Sequence, residues 1–150
     1  MAGCACVVLV SLAMVSCSEN NTAPLQVFKQ EIASSSPLQT LKVDELATIQ
    51  VTVKNIGNAP WPMKGIDEKN TNLVALGFHW IDSEGNAIQE GRATLSNDLM
   101  PGASATLDAN IQAPPEPGNY KLRFSMVQEH VDWFDNKGAE PLVFNVTVKK

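Results

Sequence analysis

From residue 46 to the end, the chain repeats one unit. Apolar and polar side chains alternate through a short run, and a Gly, Pro or Asn turn closes it. Ala47, Ile49, Val51 and Val53 alternate with Thr48, Gln50, Thr52 and Lys54. A period of two places one set on each face of an extended strand, which a helix cannot do. The same alternation carries Val74, Leu76, Phe78 and Trp80, then Ala103 to Ile111, then Tyr120, Leu122, Phe124 and Met126, and finally Leu142, Phe144, Val146 and Val148. Turns fall at Asn55-Ile56-Gly57-Asn58, Ser83-Glu84-Gly85-Asn86, Asp98-Leu99-Met100-Pro101-Gly102 and Pro114-Pro115-Glu116-Pro117-Gly118. Ala87–Leu95 reads as the return strand after the second of these. No segment holds a helical period. The pattern predicts an all-β antiparallel sandwich of seven to nine strands.

Two residues favour the immunoglobulin-like version of that sandwich. Trp80 sits on the third or fourth strand and faces inward, where such folds bury a Trp. Tyr120 follows the Pro117-Gly118 corner at the start of the penultimate strand, the place of a tyrosine corner. Upstream, Leu25–Ile32 and Leu38–Val43 read as strands separated by Ala33-Ser34-Ser35-Ser36-Pro37. A first strand broken at a proline can pass from one sheet to the other. A jelly roll or small barrel is the alternative that the same alternation allows.

The first 16 residues, MAGCACVVLVSLAMVS, carry no charge and are mostly apolar. They are too few to span a bilayer comfortably, which takes about 20 residues, and have the size of a signal-peptide core. Met14-Val15-Ser16-Cys17 resembles a bacterial lipobox, which implies that residues 1–16 are a signal peptide and that Cys17 becomes lipidated. Residues 17–24 then form a polar tether and residues 25–150 the sandwich. The implied setting is the bacterial cell envelope, with the protein held at a membrane by its lipid. A plain cleaved signal and an uncleaved anchor are the other readings. All three cysteines, Cys4, Cys6 and Cys17, lie in this region. Packing alone, with no disulfide, must therefore hold the sandwich.

The net charge of −5 disfavours nucleic acid and anionic lipid surfaces as direct partners, since both reward clustered Lys and Arg. His79 and His130 have neither cysteine partners nor zinc spacing. Asp132, Asp135 and Asn136 lack the spacing of a calcium loop. There is no Gly-rich phosphate loop and no nucleophile elbow. The expectation is no metal, no cofactor and no catalysis.

Strand geometry gathers the remaining candidates. If Ser83 pairs with Asn86 across the hairpin, His79 lies opposite Glu90 and Gly77 opposite Arg92, on the face away from Trp80. A loop one residue longer turns Glu90 and Arg92 to the other face. If the penultimate strand adjoins, Arg123, Ser125, Val127 and Glu129 share the platform. Such a surface suits a sugar or protein ligand; equally, Arg92 and Glu129 can simply pair with each other. Downstream, Trp133 and Phe134 are either exposed contacts or a cap folded back onto the sandwich. The candidate ligand-binding residues are therefore His79, Arg92, Glu129, Trp133 and Phe134.

Asn55-Ile56-Gly57-Asn58-Ala59-Pro60-Trp61-Pro62, with Pro117-Gly118-Asn119-Tyr120 downstream, partly resembles the four-tryptophan domain of autophagy cargo receptors; Val51 stands where that pattern usually has a Trp. A second resemblance spans residues 45–148. Phe78-His79-Trp80, Glu90-Gly91-Arg92, Leu99-Met100-Pro101-Gly102, Ala113-Pro114, and Val127-Gln128-Glu129 with Trp133-Phe134 are similar to a bacterial immunoglobulin-like domain. That domain is appended to glycosyltransferases, methyltransferases and other glycan-assembly proteins. The resemblance implies a non-catalytic role and supplies no ligand; with the lipobox, the reading is a lipid-anchored binding or accessory module for envelope glycans or proteins. Two other readings are a protein-interaction subunit that uses the edge strand at 38–43 and a small proteinase inhibitor that uses the loop at 63–72.

Overall fold

A computed structural model describes residues 23–150. The signal segment and Cys17 lie outside the described residues. Nine strands follow in chain order: β1 Gln30–Ala33, β2 Thr40–Lys42, β3 Leu46–Asn55, β4 Val74–Ile81, β5 Ala87–Thr94, β6 Ser104–Gln112, β7 Gly118–Gln128, β8 Asp132–Trp133 and β9 Leu142–Lys149. They form two sheets. The smaller has the order β1-β3-β6; the larger runs β2-β9-β7-β4-β5, with β8 added to β7. This is an immunoglobulin-like sandwich.

The alternation read from the sequence decides which side chains lie between the sheets. Val51, Val53, Leu76, Ala109, Leu122, Phe124 and Met126 are fully buried there, and Trp61 and Phe134 join the core from outside the strands. Trp80 is 1% exposed, as its inward position requires. The tyrosine corner is present: the Tyr120 hydroxyl donates to Glu116 O at 2.8 Å. That bond closes the Pro-Gly corner onto the strand it begins.

The proline-broken first strand does change sheets. β1 pairs antiparallel with β3 in one sheet, while β2 pairs parallel with β9 at the edge of the other. Strand structure begins at Gln30, not at Leu25. Ahead of it, the Leu25 N–H is held by the Gln128 side chain at 2.9 Å, and Phe28 packs edge-on against Phe134. Side-chain anchoring thus replaces ladder bonds over residues 25–29.

Buried amides tie the sandwich at several points. Asn55 is fully buried: its Nδ2 donates to Ala59 O and Leu99 O, both at 2.9 Å, and its Oδ1 accepts Gly57 N at 3.0 Å. Gln30 Oε1 accepts Met126 N at 2.8 Å, linking the two sheets. Gln128 Nε2 donates to Asn72 O at 3.1 Å. Nothing in the alternation marks these three as interior, because a buried amide reads as an ordinary polar residue until its partners are known.

The β4–β5 hairpin departs from the expected turn and still delivers the expected register. The turn is one residue longer: Asp82 N donates to Asn86 O, and Gly85 sits at φ 87°. A bulge then intervenes. Ile81 pairs with Ala87, whereas Trp80 pairs with Gln89, so Ile88 is the extra residue. The longer turn and the bulge cancel. His79 therefore lies opposite Glu90 and Gly77 opposite Arg92.

Candidate ligand-binding face

The large sheet turns one face to the core and the other outward. On the outer face, β4 carries Ala75, Gly77, His79 and Ile81, while β7 carries Val127, Ser125, Arg123 and Lys121 opposite them in that order. The chain then reverses at Gln128. His130 takes the left-handed conformation at φ 61°, and β8 folds back along β7 with Trp133 opposite Val127. This return delivers the Trp133 indole to the sheet.

Gly77 makes the seat. A Cβ at this position would lie 2.4 Å from the Cζ3 and Cη2 carbons of Trp133. No side chain fits there, so the indole rests directly over the strand. The His79 ring packs beside it, centroids 4.2 Å apart and tilted 38°. The Arg92 guanidinium lies 4.8 Å from the indole centroid, a cation–π contact.

The ionic groups close on one another. Arg92 Nε meets Glu129 Oε1 at 2.6 Å, and Arg92 reaches Glu90 at 3.5 Å. Glu90 also contacts His79 Nε2 at 3.2 Å. On the far side, Arg123 Nε pairs with Asp135 Oδ2 at 3.2 Å. Of the two readings of Arg92 and Glu129, the pair forms, and it forms within the platform. The structure brings His79, Arg92, Glu129 and Trp133 together.

Phe134 is a correction. The sequence placed it among the ligand-binding candidates, but its side chain is 0% exposed and packs edge-on against Trp61 and Phe28. Strand β8 ends at Trp133, and Phe134 follows with helical angles (φ −64°, ψ −36°) as the chain enters the 3-10 turn Asp135–Lys137. Trp133 goes out to the sheet face, and Phe134 goes in to plug the end of the sandwich. Trp61 is likewise core, bridged through its backbone to Leu99.

The environment of His79 disfavours its protonated form. Burial pushes its pKa below the usual 6.5; the Glu90 carboxylate partly offsets this, and the Arg123 and Arg92 charges lower it further. Since Nε2 faces Glu90, the neutral ring carries its proton there. Its Nδ1 is buried without a partner, so protonation puts a proton where no acceptor waits. The unfolded chain takes up that proton first as pH falls. Stability contributed by neutral His79 should therefore be present above about 6.5 and lost progressively down through the lower folded value. Urea midpoints measured across this window should decline in the native protein and decline less in His79→Gln. Equal slopes would show that another group is responsible.

The loop at 63–72 folds onto itself. Asp67 Oδ1 accepts Lys69 N and Thr71 N, each at 3.0 Å, and its Oδ2 accepts the Thr71 hydroxyl at 2.8 Å. The His130 ring meets Lys69 O at 3.0 Å. Such a loop is compact and does not resemble a protruding inhibitory segment. Among the described residues, no three His, Cys, Asp or Glu side chains gather as a metal site.

No protein-family profile matches this chain, and no curated protein matches it. Solved structures do align with it. The CARDB domain of PF1109 from Pyrococcus furiosus aligns over 81% of this chain and 93% of its own, at 19% identity and a TM-score of 0.48. The C-terminal domain of wzt aligns over 81% and 71%, at 14% identity and 0.49. A beta-glucosidase from Listeria innocua, in complex with glucose, aligns over 81% of this chain at 16% identity and 0.48, but over only 16% of its own length. At these scores the similarities carry no functional inference, and the fold rests on the strand order and register.

Proposed function

We propose that this chain is a non-enzymatic, lipid-anchored module of the bacterial envelope that binds glycan through the outer face of its large sheet. The observation that carries the reading is the Trp133 platform. An indole is seated over Gly77 and bracketed by His79 and Arg92 on regular strands. Aromatic rings fixed on rigid strands lose little entropy on binding and stack against sugar rings. Glu90, with 58% of its side chain exposed, supplies acceptors beside the ring. The lipid anchor rests on Met14-Val15-Ser16-Cys17. Acyl chains contribute about 0.8 kcal/mol per buried CH₂, so a multiply acylated Cys17 holds the domain at the bilayer.

Two variants disturb the same indole in different ways. Trp133→Ala removes it, and Gly77→Ala evicts it from its seat. Both should weaken binding on a glycan array by about tenfold or more. If the array signal survives both changes, the platform is not the binding surface. Palmitate labelling should depend on Cys17; unchanged labelling in Cys17→Ala would remove the anchor.

A protein partner is the second reading. β2 is an edge strand, bonded only to β9 in the sheet order. It offers three residues, Thr40–Lys42, a short template for strand addition.

A further inference from the structure

The far end of the same outer face is built differently from the Trp133 end. Ile81 lies opposite Lys121 across β4 and β7; Lys121 lies opposite Asn145, and Asn119 opposite Thr147, across β7 and β9. The Asp82–Asn86 turn stands beside them. These strand residues, with Asp82, Ser83 and Gly85 of the turn, line a groove of about 360 Å³, within the size range of small-ligand sites.

One wall of the groove is fixed. Asp82 Oδ1 accepts Glu84 N at 3.0 Å and Asn86 N at 2.8 Å, and its Oδ2 takes the Asn86 amide at 3.4 Å. The Asp82 carboxylate is thus spent on its own turn. Lys121 is the cation of the lining. Thr147 Oγ1 donates to Asn119 Oδ1 at 3.2 Å, which orients that amide and leaves its two N–H donors without a partner among the described residues. The Lys121 and Asn145 side chains make no hydrogen bond or ion pair among the described residues. At the Trp133 end the charges are paired; here the donors are open.

The chemistry of the lining names its occupant. An amide presents donors and an acceptor together, matching an acylamino group or a hydroxyl pair. A lysine ammonium is a point charge suited to a carboxylate. Half-buried Ile81 gives a sugar's C–H face an apolar floor. We propose that this groove is a subsite for an N-acylated sugar bearing a carboxylate. The assignment rests on the outer face being the binding surface. Gly77 and Ile81 are four residues apart on β4, about 13 Å along the strand, so one oligosaccharide could touch both ends.

The test titrates the full-length protein in detergent micelles with two probes. One is the disaccharide of N-acetylglucosamine and N-acetylmuramic acid, whose lactyl group is a free carboxylate; the other is neutral chitobiose. The acidic probe should bind about tenfold tighter. Lys121→Met should erase that preference, bringing the acidic probe down to the affinity of chitobiose. The combined change Asn119→Ala with Asn145→Ala should weaken both probes about tenfold, with the near-ultraviolet circular dichroism of the tryptophans unaltered. Three results overturn the assignment. If only Trp133→Ala weakens the probes, the groove is not a subsite, while the outer-face reading stands. If neither probe binds but other glycans do, the ligand class is wrong. If no glycan binds at all, both the groove and the glycan reading fall.

Discussion

Phe134→Ala should destabilise the domain by about 3–5 kcal/mol, the range for truncating a buried aromatic, whereas Trp133→Ala, one residue earlier, should cost about 1 kcal/mol. The two aromatics are neighbours in sequence but point apart, Trp133 from the end of β8 onto the outer face and Phe134 from the turn after it into the core. Phe134 contacts Trp61 and Phe28 at centroid distances of 5.3 and 5.2 Å, and its removal leaves a hole at the closed end of the core. Trp133 gives up a seat on Gly77 and a cation–π contact, but its loss leaves the Arg92–Glu129 pair in place. Urea midpoints of the two variants decide the matter. A Phe134→Ala midpoint within error of native would put that ring outside the core. A loss of several kcal/mol for Trp133→Ala would make the platform structural, and any binding defect in that variant would then say nothing about contact.

The alternation was enough to assign the all-β class, with Trp80 and Tyr120 favouring the immunoglobulin-like version, and the residues show why. A period of two fixes which face each strand buries, so Trp80, Leu122, Phe124 and Val146 could be placed inside without knowing their partners. Pro37 marked the change of sheet because it interrupts the ladder. The register beside His79 was legible for a weaker reason. The turn read as Ser83–Asn86 is Asp82–Asn86, and Ile88 bulges to restore the count. Neither the bulge nor the longer turn was written in the local sequence, since Ser-Glu-Gly-Asn suits both loop lengths.

The candidate site was legible only in part. Strand pairing brought Arg92, His79 and Glu129 to one face, but the position of Trp133 depends on the reversal at His130 and on the missing side chain of Gly77. A glycine in an otherwise full strand was the available signal, and it marks a close approach by another group. Which of Trp133 and Phe134 turned outward could not be read, because two adjacent aromatics in a loop fit either phase. The groove at Lys121 and Asn145 was missed altogether. Its residues are unremarkable singly, and they converge only when β9 is placed beside β7.

Asn55→Ala should cost about 3 kcal/mol, and Asn55→Asp more. Asn55 closes β3 at the end of the sandwich where three connections meet, and its side chain is completely buried. Its amide donates to Ala59 O and Leu99 O, on two different loops, and accepts Gly57 N within the turn. The backbone of Asn55 adds two bonds: its N–H donates to Ala103 O, and its carbonyl accepts Gly102 N. Truncation to Ala keeps these backbone bonds and leaves Leu99 O with the Trp61 N–H, but it strips Ala59 O of its donor and Gly57 N of its acceptor, each loss worth about 1–3 kcal/mol when buried. The aspartate keeps the acceptor for Gly57 N and replaces both donors with a charge facing two carbonyl oxygens, the costlier arrangement. Lowering the pH should then restore part of the stability of Asn55→Asp, because a protonated carboxyl regains one donor. Asn55→Ala should show no such recovery. Equal pH profiles for the two variants would mean that water, and not the amide, satisfies Ala59 O.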